Sequence, residues 1–378
     1  MFIYLDNNAT TQIAPEVLEA MMPYLTYNFA NASSTHAFGL RASDAVKKAR
    51  QQVADLVSCE TNEIIFTSGA TEAINLGIKG VTLANFGFKN HIITSQTEHK
   101  AVLDTCKYLE SIGFEITYLP VGEDGLISIT NLENALRPQT LLVAIMWVNN
   151  ETGVIQPIDE IAEITHNNGS LFFTDATQAV GKISLNLKNI DMLSFSAHKF
   201  HGPKGIGGLY VKKGVKFESQ IHGGGHEFGL RSGTSNVPAI VGLGAACELS
   251  QNCMIETKEI VELLRDYLEL ELLKISGTIL NGNKKNRLYN VSNLSFPYID
   301  ANVLIGQLKN IAVSNGSACT ASIVQPSHVL KAMGNTDEQA MAAIRFSLCK
   351  YNTKDEIDIT INEIKRVIRN QFMSITTD

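Results

Sequence analysis

The sequence predicts an α/β fold: a large, mostly parallel sheet layered with helices, joined to a smaller α+β lobe. Three observations carry this. Short apolar runs alternate with amphipathic helical patterns up to about residue 250, the signature of strands and helices packed in layers. From Glu256 the texture changes to a long amphipathic stretch followed by short mixed pieces. A chain of 378 residues is also long enough for a large core shared by two lobes.

The elements follow in order. Residues 1–11 read as an extended segment at the lobe boundary. Helical spacing marks 15–25 and 41–57. A strand pattern at 63–67 leads into a helix at 72–80, and further strands are expected at 91–95, 114–119 and 141–148. A helix at 158–166 precedes strands at 171–174, 192–195 and 206–211. Ile260, Leu263, Leu264, Tyr267, Leu268 and Leu272 recur at helical spacing, so 258–274 is expected to be an amphipathic helix. Strand-like pieces at 288–296 and 343–348 and helices at 301–309 and 354–371 complete the chain. The expected division is a large domain over 12–250 and a small one over 1–11 and 251–378.

Composition narrows the function. Apolar residues make up 44% and charged residues 18%, as in an ordinary soluble globular protein. The net charge is −7 with no basic block, which argues against a nucleic-acid or anionic-membrane surface. The opening MFIYLDNNATT has no basic stretch followed by an apolar one, so no signal peptide is expected. The longest apolar run, 141–148, is far too short to span a bilayer. A cytosolic location is the expectation. The six cysteines (Cys59, Cys106, Cys247, Cys253, Cys319 and Cys349) form no CxxC pair, so neither a zinc site nor a thioredoxin-like motif is expected. Most should be free thiols packed as small hydrophobes.

The most informative stretch is SFSAHKFHGPKGIGG at 194–208. An apolar run ends in Ser196, His198 and Lys199, and glycines follow. A lysine at the end of a buried strand, with hydroxyl and imidazole donors beside it, suits an amine that forms a Schiff base when its surroundings keep it partly neutral. In enzymes that use pyridoxal 5′-phosphate (PLP), such a lysine carries the cofactor. Taken alone, such a residue is more often one surface lysine among many. Lys204 is a rival, but Pro203-Lys204-Gly205 has the composition of a solvated turn.

Other strand ends carry candidates, each with a plainer alternative. TSGATE at 67–72 follows a strand and opens a helix, which suits a phosphate or is a simple N-cap. Asp175 in FFTDATQ could hold a protonated pyridine nitrogen or cap a helix. His99 follows the strand at 91–95, at the sheet edge where ligands bind; there it could stack on a ring or move protons, or be a loop histidine. Asn150 in NNETG either contacts a ligand or serves a turn. Arg345 is a lone charge in an apolar run and should pair with a carboxylate from protein or substrate. Cys319 sits among small residues at 313–322, with nothing bulky to bury it, so its thiol is expected to be accessible and reactive, the plainer alternative being a chance cysteine in a flexible loop. The other five cysteines lie in apolar or helical patterns.

Together these stretches resemble the cysteine desulfurases of the NifS/IscS type, a subgroup of the class V aminotransferase family. The resemblance spans nearly the whole chain. It rests on YLDNNATT (4–11), FTSGATE (66–72), TEHKAVL (97–103), MWVNNETG (146–153), TDATQAVGK (174–182), SFSAHKFHGPKGIGGLY (194–210), HGGGHEFGLRSGT (222–234), SNGSACTAS (314–322) and IRFSL (344–348), in the family's order.

The resemblance implies PLP fold type I and a homodimer with active sites at the subunit interface. It implies Lys199 as the Schiff-base lysine. Ala70, Thr71, Ser196 and His198 would contact the cofactor, the last three at its phosphate, with the partner subunit's Thr234. Asp175 would pair with the pyridine nitrogen and Gln178 with the phenolic oxygen. His99 would stack on the ring and move protons, and Asn150 and Arg345 would hold the carboxylate of L-cysteine. Cys319 would be the nucleophile and persulfide carrier, and through that persulfide could ligate a transient [2Fe–2S] cluster. The implied reaction turns L-cysteine into L-alanine and passes sulfur to an acceptor or iron–sulfur scaffold protein, for cluster assembly or tRNA thiolation. A selenocysteine lyase or another class V aminotransferase would share the fold; Cys319 in a full-length loop favours the desulfurase.

The chain departs from the common pattern around Cys319. Asn315 stands where Ser is usual, Ala321 where Ser or Gly is usual, and Ile323-Val324-Gln325-Pro326 where a Leu-Glu-Pro ending is common. The loop keeps its length, so its reach should be intact while partner contacts differ. The short stretch after Asn370 points the same way, to a question about the acceptor rather than the reaction.

Overall fold

Adjacent residues of the apolar runs face opposite ways, as the two-residue period of a strand requires. Phe172 and Phe173 are both fully buried, yet they belong to different cores, and the same holds for Leu193 and Met192. A sheet buried on both faces explains why its strands read as continuous apolar runs. The structure, a computed structural model, describes residues 2–316 and 325–376.

After a short β1 (Ile3–Tyr4), the chain supplies seven strands to one sheet: β2 (Ile64–Thr67), β3 (His91–Ser95), β4 (Glu115–Leu119), β5 (Thr140–Ala144), β6 (Leu171–Asp175), β7 (Met192–Ser196) and β8 (Gly207–Val211). Their order across the sheet is β2-β8-β7-β6-β5-β3-β4. Only β8 runs against its neighbours. The C-terminal ends of β2, β3, β5, β6 and β7 therefore lie along one edge.

The helices between them are α1 (Pro15–Thr26), α2 (Ala37–Val57), α3 (Ala70–Ala84), α4 (Lys100–Ser111), α5 (Ile129–Ala135) and α6 (Ile158–Asn167). α3 and α4 cover one face through Ile74, Leu76, Val102 and Leu109. α1, α2 and α6 pack into the core on the other.

Two expectations need correction. The run 141–148 is strand only as far as Ala144. Beyond it, Ile145 and Trp147 still donate to Phe173 and Asp175, but β3 has already ended on the other side, and the Glu98 carboxylate takes the Met146 amide at 2.8 Å. The helix expected at 258–274 begins instead at Val237: α7 (Val237–Leu273) is continuous through residue 250. Its first half packs closely through small residues. A Cβ at Gly242 would lie 2.6 Å from Met21 Sδ, and one at Gly244 2.7 Å from Ala49 Cα. Val237, Ile240 and Leu243 are buried there too, but they are interleaved with Gly242, Gly244 and alanines.

The remaining elements are β9 (Ile279–Leu280), β10 (Val291–Ser295), α8 (Ala301–Gln307), β11 (Ile311–Ala312), α9 (His328–Ala332), α10 (Asp337–Met341), β12 (Ala343–Ser347) and α11 (Lys354–Thr376). β12, β10 and β9 form an antiparallel sheet, and β11 pairs in parallel with β1. The N-terminal segment links the two regions: Asp6 bridges to Ser347, and the Thr11 amide donates to His198 at 2.8 Å.

Candidate active site

A cavity of about 530 Å³ opens at the shared edge of strand ends, where open α/β sheets bind ligands. Ala70 and Thr71 reach it after β2, His99 after β3, and Asn150 beyond β5. Asp175 comes from the end of β6, Ser196, His198 and Lys199 from β7, and Gln178 and Arg345 line it as well.

Lys199 Nζ donates to the carbonyl oxygens of Asn8 and Ala9 at 2.7 and 2.8 Å. Burial, with Arg345 nearby, pulls its pKa down to about 8. Lys204 also borders the cavity but is exposed, so Lys199 is the amine whose surroundings favour the neutral, nucleophilic form. His198 Nδ1 lies 3.1 Å from Thr10 Oγ1. Burial, together with Lys199 and Lys204, lowers its pKa to about 4, so this imidazole is neutral at physiological pH.

The N-terminus of α3 forms a cradle. Its cap residue, Gly69, has φ +154° and provides no side-chain cap, and the first amides of a helix have no partner within it. A Cβ at Gly69 would stand 3.5 Å from Ser196 Oγ, in the space between helix start and hydroxyl. The acid there, Glu72, is paired to Arg231 at 2.7 Å and to the Ser68 amide at 2.7 Å. What faces the cavity is hydroxyl, amide and helix dipole, which suits a phosphate.

Three donors converge on Asp175 Oδ1: the Thr177 amide at 3.0 Å, the Thr177 hydroxyl, and the Ser194 hydroxyl at 3.3 Å. Asp175 thus serves a local turn and also faces the cavity. Gln178 Oε1 accepts from Lys182 Nζ at 2.6 Å while its Nε2 donates to Asn8 at 3.0 Å. Lys182 is buried, and that burial, with Lys199 and Arg345 nearby, lowers its pKa to about 7. His99 caps α4, its Nδ1 accepting from the Ala101 amide at 3.1 Å. That leaves the ring proton on Nε2, on an exposed ring at the cavity mouth.

Arg345 has found its carboxylate within the protein. One terminal nitrogen donates to Asp6 at 2.6 Å and the other to the Asn150 carbonyl at 3.1 Å. Its buried Nε has no partner among the described residues. Asn8 Nδ2 also reaches the Asn150 carbonyl, at 3.1 Å. Thr234 is exposed and does not line the cavity of its own chain. Cys319 lies outside the described residues; Ser314 and Gly316, before it, do line the cavity.

The donor set fits PLP: a half-buried amine of lowered pKa, an oriented carboxylate, and a phosphate cradle free of unpaired acid. Asp6, Asn8 and Lys182 are members of the site that motif reading does not single out. For Asp6 and Asn8 the one signal is the polar DNN that follows the apolar opening MFIYL; Lys182 has none. Among the described residues, no group of His, Cys, Asp and Glu is placed to hold a metal ion, and no helix is long and apolar enough to cross a membrane.

Comparison with known proteins identifies the family. Residues 3–360 match the family described as aminotransferase class-V. The chain is 50% identical over 375 residues to a cysteine desulfurase IscS of Pectobacterium carotovorum, covering 97% of this chain and 92% of that relative. A solved NifS-like protein superposes with a TM-score of 0.93 at 41% identity, covering 98% of this chain and all of that one. A structure described as SspA in complex with cysteine superposes with a TM-score of 0.81 at 40% identity, over 93% of this chain and 100% of that one.

Proposed function

The chain belongs to the aminotransferase class-V family and is a PLP-dependent cysteine desulfurase, and on that premise we propose the part each residue plays. L-Cysteine and an enzyme thiol give L-alanine and an enzyme persulfide. A sulfur–sulfur bond forms and the Cβ–Sγ bond breaks; the transferred sulfur is oxidised as Cβ is reduced, so no outside oxidant is needed.

When bound, PLP supplies an aldehyde that links to amines and an electron-poor ring that takes up the electron pair freed at the substrate Cα. Lys199 would hold it through Nζ. Asp175 would face the ring nitrogen, and Gln178 Nε2 the phenolic oxygen. Ala70 would flank it, and Thr71, Ser196, His198 and the first amides of α3 would hold the phosphate. His99, with its proton on Nε2, would stand against the ring.

Arg345 and Asn150 would take the substrate carboxylate, Arg345 with its position set by Asp6. Lys199 Nζ, with a pKa of about 8, can accept the Cα proton near neutral pH and return it. The Cys319 thiolate would attack the substrate sulfur. The run of small residues around it supports that role.

A homodimer would let the partner subunit's Thr234 complete the phosphate site, since Thr234 is exposed on its own chain. The sulfur would pass to an acceptor protein for iron–sulfur assembly or tRNA thiolation, with Cys319 able to ligate a transient [2Fe–2S] cluster. The observation that carries these assignments is the convergence of Lys199, Asp175 and the α3 N-terminus on one cavity. The test is to mix the PLP-loaded protein with L-cysteine and measure alanine. Alanine formed in wild type and lost in Lys199→Ala supports the assignment, whereas equal rates refute it.

A further inference from the structure

The carboxyl of Glu151 has no part in the roles above. It is buried and meets the chain on both sides of the Cys319 segment. Ser327 Oγ donates to Glu151 Oε2 at 2.5 Å. On the other side, a Cβ at Gly316 would lie 2.7 Å from the same oxygen, so the Gly316 backbone packs directly on the carboxyl. Gly316 has φ +76°, a conformation that favours glycine.

Glu151 is itself firmly held. Its amide donates to Asn149 Oδ1 at 2.9 Å, and its carbonyl accepts from Asn293 Nδ2 at 3.1 Å. Asn293 pairs with Arg345 across the small sheet. Among the described residues Glu151 has no salt bridge. Burial raises its pKa to about 7, against the opposing effects of the Ser327 hydrogen bond, Arg345 and Lys100. A carboxyl that is partly protonated at neutral pH can sit buried between a hydroxyl and a backbone without a counter-ion.

We infer that Glu151 is a positioning residue for sulfur transfer: one buried carboxyl packs against Gly316 and accepts from Ser327, and so fixes the described backbone just before and just after the stretch that bears Cys319. The inference rests on Cys319 being the sulfur-accepting thiol. A nucleophile on a short connection has an effective concentration set by where its ends are anchored. Releasing an anchor lowers productive encounters with the substrate sulfur while leaving every group assigned to cofactor and substrate in the chain.

PLP-loaded wild type, Glu151→Ala, Glu151→Gln and Gly316→Ala are compared after rapid mixing with L-cysteine. The change in cofactor absorbance reports substrate binding, and mass spectrometry of quenched samples reports persulfide at each cysteine. Glu151→Ala and Gly316→Ala should slow persulfide formation by about tenfold or more, in line with the cost of small misplacements. The cysteine concentration giving half the absorbance change should move by less than about twofold, and Glu151→Gln, which keeps an acceptor for Ser327, should recover most of the rate. A wild-type persulfide rate in Glu151→Ala overturns the inference, as does a loss of cysteine binding in parallel with the rate. If Glu151→Ala does not fold, Gly316→Ala carries the test with the same readouts. Persulfide on a cysteine other than Cys319 in wild type would overturn the assignment of Cys319, and this inference with it.

Discussion

Lys199 Nζ donates to the carbonyl oxygen of Asn8 at 2.7 Å, so the amine at the end of β7 is held by the N-terminal segment that also pairs with the small sheet. Lys199 is nevertheless buried enough to have its pKa lowered to about 8. The neutral fraction is about one-tenth at pH 7 and about nine-tenths at pH 9. Covalent uptake of PLP by the cofactor-free protein should therefore accelerate with rising pH through about 8, followed by stopped-flow absorbance. A rate flat over that window would show that the amine is not the titrating group.

Asp175 serves both a turn and the cavity, and Asp175→Asn separates the two. Asparagine keeps an Oδ1 to accept from Thr177 and Ser194, so thermal unfolding should change stability by less than about 1 kcal/mol. Turnover should fall by about a hundredfold or more, because a neutral amide cannot stabilise a protonated ring nitrogen.

Asp6 and Arg345 form a pair in which Arg345 is buried and Asp6 partly exposed. Asp6→Ala leaves a buried guanidinium without its carboxylate. Breaking a fully buried pair costs about 3–5 kcal/mol, and partial exposure of Asp6 reduces that to about 1–3 kcal/mol. Denaturant unfolding should read this loss, and the half-saturating concentration of L-cysteine should rise as Arg345 loses its fixed position.

His198 has its pKa lowered to about 4, first by burial and then by Lys199 and Lys204. Its ring signals in NMR spectra of the cofactor-free protein should not titrate between about pH 5.5 and 8. Titration near the ordinary histidine value would mean that the ring is solvated rather than packed against Thr10.

Lys199, Asp175, Thr71 and Asn150 were legible in the sequence because each follows an apolar run, and parallel strands deliver such positions to one edge. Asp6 and Asn8 were not, because their roles come from contacts between distant segments, and Lys182 was not, because its burial, rather than its local bond to Gln178, sets it apart. Asn8 and Lys199 are 191 residues apart, and Asp6 and Arg345 339. The start of α7 was hidden because its buried Ile240 and Leu243 are interleaved with Gly242 and Gly244, which pack closely without side chains. The end of β5 was hidden because the Glu98 side chain takes over from a neighbouring strand.

The most direct test of the central claim is to incubate the PLP-loaded protein with L-cysteine, quench it, and map sulfur on its cysteines by mass spectrometry while alanine is counted. The account predicts one added sulfur on the peptide bearing Cys319, alanine in matching amount, and loss of both in Cys319→Ser with the cofactor still bound. Undiminished sulfur release from Cys319→Ser, or added sulfur on another cysteine alone, would contradict it.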